Sequence, residues 1–477
     1  MKRREFNLLP VAAVSARFLR AGSADFYNEE YRPQFHFTPR TGWTNDPNGL
    51  VFYKGEYHLF FQHNPFATKW GNMTWGHAVS SDLVHWKQLP DAIKPDARGT
   101  IFSGSAVVDE GNTAGFQTGT EKTLVAIYTA AGGTSPESKG QPFTQCIAHS
   151  NDRGRSWTKY SGNPVVPHII GNNRDPKVTW HAHTRRWIMV LYLDGNTFRF
   201  LASPDLKKWA TLHDITVPDS AECPDFFPMP VEGEPGTTKW VWTSANDHYL
   251  VGDFDGKRFV PEVMTQPGAY GKNYYAVQTY SGLQLTRRVQ VGWMAGGKYP
   301  GMPFNQQMSF PYQLKLRRSG LGLKLFALPV GEIASLRETP HTWNTVQLKT
   351  GENPLAALSG ELWDIDAEIA PGSATEFGFL VRGRPVTYRV KEKQLLNGDA
   401  VTAMSQKDGR IRIRILVDRT SAEVFGNDGE VVIPCCFLPD ETAPSLEMFA
   451  RGGAAQIASM RVFKLRSIWR PAAGVFQ

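Results

Sequence analysis

The chain has 477 residues, of which 12% are aromatic and 20% charged. That excludes a disordered chain, which lacks aromatics, and a coiled coil, which needs many more charges; the length is about three times that of an average domain. Lys and Arg number 52 against 45 Asp and Glu, a net charge of +7, and no basic block follows the N-terminus, which argues against a nucleic-acid partner.

Residues 1–24 open on a basic stretch, continue through an apolar run from Phe6 to Ala16, and end in Gly22-Ser23-Ala24. This is the order of an export signal, and Arg3-Arg4-Glu5-Phe6 resembles a twin-arginine leader. The segment predicts a periplasmic or secreted protein; read as an ordinary basic terminus, it predicts a cytoplasmic one. Nowhere else is there the run of about 18 apolar residues that a membrane helix needs, so no membrane partner is expected. The four cysteines, Cys146, Cys223, Cys435 and Cys436, are too few and too scattered for a disulfide framework or a zinc site. They read as core or incidental thiols.

Short aromatic and β-branched runs follow in chain order, among them Tyr57 to Phe61, Trp187 to Leu193 and Trp240 to Trp242. Gly, Pro, Asn or Asp bounds each, which is an all-β pattern. An Asp–aromatic turn recurs as Asp82 to Trp86, Asp152 to Trp157, Asp205 to Trp209 and Asp255 to Phe259. Ser81, Ser150 and Ser203 stand at or near the start of three of them. An Asp that caps a turn, with a ring packed back beneath it, has a physical logic. The spacing is close to one four-stranded propeller blade plus insertions. Four turns and an unmatched stretch near Trp293 suit five blades.

The texture changes near residues 325–345. Ile411 to Val417 alternates as a half-exposed strand does. Ser421 to Pro434 reads as two strands joined by Asn427-Asp428-Gly429, and Leu446 to Ala450 and Ala458 to Leu465 as further strands. The expected architecture is all-β: a five-bladed β-propeller over residues 31–330, then a β-sandwich over 340–477.

Three acids have unusual company: Asp46 in Trp43-Thr44-Asn45-Asp46-Pro47-Asn48-Gly49, Asp175 in Arg174-Asp175-Pro176-Lys177, and Glu222 in Glu222-Cys223-Pro224-Asp225. Each precedes a Pro that fits a strand end. Each also stands at a similar distance before one of the Asp–aromatic turns, so the three occupy similar places in three blades and face one axis. Carboxylates brought together in this way supply the proton donor and the nucleophile or base of glycoside cleavage.

These segments, with Phe102-Ser103-Gly104-Ser105 and Asp418 to Phe425, resemble glycoside hydrolase family 32. The motifs fall in the family's order and cover most of the chain. The resemblance implies a propeller followed by a sandwich, and a retaining β-fructofuranosidase acting on levan, inulin or sucrose. It makes Asp46 the nucleophile, Glu222 the general acid and base, and Asp175 the transition-state stabiliser. Asn45, Gln62, Trp70, Phe102, Ser103, Arg174 and Trp293 match positions that line the fructose subsite, and Arg174 is placed to hold Asp175 ionised. The segment from Asn64 to His77 is closer to exo-acting inulinases and levanases than to plant invertases. Two segments depart from the pattern: the family usually has a Trp near Phe304 and an Arg at Tyr312, and an Asp at Asn273.

A fructosyltransferase would use the same three acids. A non-catalytic fructan-binding propeller would be expected to lack at least one of them. A sialidase needs a Tyr nucleophile and an Arg cluster, and only Arg174 stands in a motif. Neither a metal nor another cofactor is expected: no phosphate loop is present, and His58, His63, His77 and His85 alternate with aromatics as strand residues do.

Overall fold

The computed structural model describes residues 26–320 and 322–469; the leader expected over residues 1–24 lies outside them. Five sheets, each built on four antiparallel strands, follow one another along the chain, and two of them carry a short fifth strand. Their first strands are Gly42–Tyr53, Thr100–Asp109, Arg174–His181, Asp225–Pro230 and Tyr275–Thr279. These five strands touch one another in a closed ring, so each sheet is a blade and its first strand is the innermost. The ring is tied where the short strand Phe304–Asn305, from the fifth blade, pairs in parallel with Gly42 and Trp43 of the first.

The Asp–aromatic turns lie at one equivalent place. Each links the third and fourth strands of blades one to four, for example Thr74–Ser80 to Lys87–Ile93 in the first and His248–Phe254 to Phe259–Pro261 in the fourth. Asp82 Oδ1 accepts from the backbone N–H groups of Val84 and His85 at 3.0 and 2.8 Å, and Asp205 Oδ1 does the same for Lys207 and Lys208 at 2.9 Å. The carboxylate replaces the strand partners that the turn residues lack. In all four blades the residue after the Asp has positive φ: Leu83, Arg153, Leu206 and Gly256. The Trp of two turns ties back, Trp157 Nε1 to the Gly154 carbonyl and Trp209 Nε1 to the Leu206 carbonyl, each at 3.1 Å. The serine two residues before the Asp donates to it in three of the turns, Ser80 to Asp82 at 3.0 Å, Ser150 to Asp152 at 2.7 Å and Ser203 to Asp205 at 3.1 Å. The fifth blade has no such turn; its last strands, Tyr312–Ser319 and Gly322–Pro329, form a tight hairpin.

The second lobe begins at His341. One sheet orders His341–Leu348, Ala455–Lys464, Trp363–Ala370, Ile411–Asp418, Ser421–Gly426 and Val431–Cys436; the other orders Ala400–Ala403, Gln394–Asn397, Arg384–Arg389, Glu376–Val381 and Leu446–Arg451. The hairpin expected at Asn427-Asp428-Gly429 is present, with Asn427 and Asp428 both left-handed, as a tight hairpin turn requires. Inward side chains such as Ile413, Ile415, Phe377 and Phe379 form the sandwich core. Leu416, Phe425 and Val432 instead join a core that includes Tyr274, Tyr312 and Leu314 of the propeller. The two lobes therefore share buried apolar surface.

Candidate active site

The blades converge so that the beginnings of all five inner strands meet at one mouth of the axis. A cavity of about 210 Å³ opens there. It is lined by Asn45, Asp46, Gln62, Trp70, Phe102, Ser103, Arg174, Asp175, Glu222, Tyr275 and Trp293. Every residue singled out from the sequence is thus in one place, from segments up to 248 positions apart. The departures are elsewhere. Phe304 is buried beneath the Arg32 guanidinium, 3.7 Å from its ring centre. Tyr312 donates to Glu423 and Asn273 accepts from the Cys436 N–H, both between the lobes.

Asp46 lies on the inner strand of the first blade. Ser103 Oγ donates to its Oδ2 at 2.5 Å and Asn45 Nδ2 to its Oδ1 at 2.9 Å. Asn45 is itself fixed by Trp43 Nε1 at 2.9 Å. Burial pushes the Asp46 carboxyl above its ordinary value, opposed by the Ser103 and Asn45 donors.

Asp175, at the start of the third inner strand, is buried and has φ +62°. Glu222 and Cys223, just before the fourth inner strand, are also left-handed, at +55° and +37°. Such conformations cost about 1–3 kcal/mol each in non-glycine residues and persist only where surrounding bonds enforce them. Those bonds are present. The Asp175 N–H donates to Thr129 Oγ1 at 2.9 Å, and the carbonyls of Ala221 and Glu222 accept from the Ala245 N–H at 3.3 and 3.1 Å.

Burial raises Asp175 to about 7, with the Glu222 and Asp46 charges adding to the rise. The Arg174 guanidinium, 3.7 Å away, opposes it without overcoming it. Arg174 thus favours the ionised form, as expected, while desolvation of the buried carboxylate opposes it. Arg174 gives its shorter bond to Glu222 Oε1, at 2.5 Å, and Tyr275 Oη donates to Glu222 Oε2 at 2.6 Å. The carboxylate is thereby clamped at both oxygens.

Two participants were not foreseen. Tyr275 opens the fifth inner strand, and nothing in Asn273-Tyr274-Tyr275-Ala276 marks one tyrosine over its neighbour. Cys223 is buried in a small core cluster with Ala245 and Ala276, in line with a core thiol, and it also meets two of the acids. Its N–H donates to Asp175 Oδ2 at 3.1 Å, and its Sγ stands 3.5 Å from both Asp46 Oδ2 and Asp175 Oδ2. A thiol is a weak donor that adds no charge between two acids. Burial holds it well above its ordinary value, so it stays a neutral thiol. Its position between Glu222 and Pro224 was the available signal.

Gln62 Nε2 is buried and donates to nothing among the described residues. Trp70 is 55% exposed at the rim, edge-on to Phe102 at 5.9 Å. The histidines of the first blade are spent in separate pairs, His58 with His77, His63 with Asp91 and His85 with Asp82. Among the described residues no three His, Cys, Asp or Glu are placed to hold a metal, and no helix is long and apolar enough to cross a membrane.

Residues 36–327 match the model of the Glycosyl hydrolases family 32 N-terminal domain, and residues 332–464 that of the Glycosyl hydrolases family 32 C terminal. A levanase of Bacillus subtilis (strain 168) is 40% identical over 97% of this chain and 74% of its own length. An extracellular exo-inulinase of Aspergillus ficuum is 31% identical over 93% of this chain and 96% of its own. The crystal structure of exo-inulinase from Aspergillus awamori superposes with a TM-score of 0.84 at 30% identity, covering 93% of this chain and all of that one. The matches run through both lobes and span the blades that bring three carboxylates to one mouth, and the chain belongs to glycosyl hydrolases family 32.

Proposed function

We propose that this glycosidase releases terminal β-fructofuranosyl units from levan, inulin or sucrose, with retention of configuration. The observation that carries this reading is the single cavity in which Asp46, Asp175 and Glu222 stand among Asn45, Gln62, Ser103 and Arg174. The names of the relatives, levanase and exo-inulinase, support the fructan substrate.

In this reading an Asp46 oxygen attacks the anomeric carbon while the glycosidic bond breaks. The leaving-group oxygen takes the proton from Glu222. Glu222 then accepts a proton from water, whose oxygen attacks the anomeric carbon and returns Asp46 to a carboxylate. Ser103 and Asn45 position the nucleophile. Arg174 and Tyr275 position Glu222 through hydrogen bonds to its two oxygens. Asp175 accepts hydrogen bonds from fructose hydroxyls that strengthen as positive charge develops on the ring. Gln62 Nε2 supplies a preformed donor to a hydroxyl, since a buried donor without a partner gains most from one. Trp70 and Trp293 offer ring faces to the sugars.

The catalytic unit in this proposal is the propeller, residues 31–330, and the sandwich, residues 340–477, supports it. Export is part of this proposal, supported by the signal-like order of residues 1–24 and by a relative named extracellular.

The test is product analysis on sucrose, inulin and levan with Asp46→Ala and Glu222→Ala beside the unmodified protein. Free fructose is expected as the product of the latter. Each variant should lose at least about 10²–10⁴ of the rate with its melting temperature retained. Near-native turnover by either variant overturns the assignment, and chain-lengthened products at the expense of fructose overturn hydrolysis in favour of transfer.

A further inference from the structure

The propeller axis has a second mouth. At the end opposite the carboxylates, where the second and third inner strands finish and the chain leaves the fifth, lies a cavity of about 400 Å³. It is larger than the cavity at the carboxylates, and the glycosidase reading does not use it. Its wall is apolar, with Trp180 and Trp187 packed edge to face at 4.9 Å and Phe227 and Leu283 beside them. Trp180 is 37% exposed and so reachable from solvent.

The inner end is cationic. Lys177 Nζ meets Asp225 Oδ1 at 3.1 Å and donates to the Thr279 carbonyl at 2.8 Å. Arg288 is 9% exposed, and its guanidinium stands 4.8 Å from the Phe227 ring centre. Its terminal nitrogens donate to the Tyr280 and Pro228 carbonyls at 3.0 and 3.4 Å, and its Nε donates to nothing among the described residues. Two buried cations therefore share one carboxylate. That carboxylate is already occupied, accepting the Phe226 N–H at 2.6 Å and the Thr279 N–H at 2.5 Å. Burial without full pairing lowers Arg288 to about 10 and lowers Lys177 as well. Glu110 at the mouth is exposed, where solvent and salt screen it.

An uncompensated buried cation is costly, and an anion that brings its own apolar surface relieves that cost. An apolar pocket with one convergent charge is the ordinary form of a small-ligand site. We propose that this basal cavity binds a small monocarboxylate with a flat apolar body, its carboxylate directed to Arg288 and its ring against Trp180 and Trp187.

The test uses the full chain and isothermal calorimetry with 2-naphthoate, beside 2-naphthalenemethanol as its neutral counterpart. Saturable one-to-one binding of naphthoate is expected, with the alcohol about tenfold weaker or more. Trp180→Ala should weaken naphthoate about fivefold while fructose release and melting temperature stay unchanged. No saturation at millimolar naphthoate, equal affinity for the alcohol, displacement of naphthoate by fructose, or an unaltered affinity in Trp180→Ala each overturns the proposal. None of these outcomes depends on the rate measurements that test the glycosidase reading, so the two stand or fall separately.

Discussion

Asp175 is a buried cavity acid whose charge is held at the expense of stability. Its carboxyl is raised from 3.8 to about 7 by burial, so folding favours the protonated form. The stability it contributes is complete below about pH 4 and is lost as pH rises through about 7. Asp175→Asn, which keeps the shape and removes the titration, is expected to melt higher than the unmodified protein at pH 8. The difference should shrink toward pH 4, while fructose release falls about 100-fold or more. A lower melting temperature for the variant at pH 8 would show that the Cys223 N–H and Arg174 more than repay the burial of the charge. At this scale the acids were legible because each sits in a distinctive motif beside a Pro. Tyr275 and the role of Cys223 were not, since a hydrogen bond to a distant carboxylate leaves no trace in the neighbouring residues.

At the scale of elements, the lobes are joined by a buried charged cluster as well as by apolar packing. His36, just before the first blade, places Nδ1 2.8 Å from Asp418 Oδ2 and Nε2 2.8 Å from Glu423 Oε2. Asp418 also accepts the backbone N–H groups of Gln34 and Phe35 at 2.7 and 3.0 Å, and Glu423 accepts Tyr312 Oη at 2.5 Å. Burial works against the imidazolium, but the two carboxylates prevail and raise His36 to about 9. A folded value above the ordinary 6.5 gives stability that is complete below about pH 6.5 and lost as pH rises through about 9. His36→Gln should therefore cost about 3–5 kcal/mol at pH 6, and its deficit against the unmodified protein should close as unfolding is followed up to pH 10. A deficit that stays constant from pH 6 to pH 10 would mean that His36 acts through packing alone. The sequence marked the Asp418 to Phe425 segment, which turns from one strand into the next, by resemblance. It could not pair that segment with His36, some 380 residues earlier.

At the scale of the molecule, the shared core makes the propeller dependent on the sandwich. Tyr312, Leu314 and Leu316 of the fifth blade pack in one cluster with Leu416, Phe425 and Val432. A chain ended at residue 330 would expose this face, and contiguous apolar surface of that kind drives association. Such a fragment is expected to sediment as aggregate and to show no cooperative melt; a monomeric fragment with the melting temperature of the full chain would refute the dependence. The sequence alone determined the all-β class and the number of blades, and its motifs named ten residues that the structure gathers at one cavity. Strand alternation, Asp-capped turns and local motifs are written over a few residues at a time, and local patterns need no long-range information. Tertiary structure alone decided that Arg174 is shared with Glu222, that burial raises Asp175 against the pull of Arg174, that Cys223 and Tyr275 stand at the acids, and that the axis has a second, cationic mouth. Each of these depends on distance and desolvation between segments remote in sequence, and those quantities exist only once the ring of blades has closed.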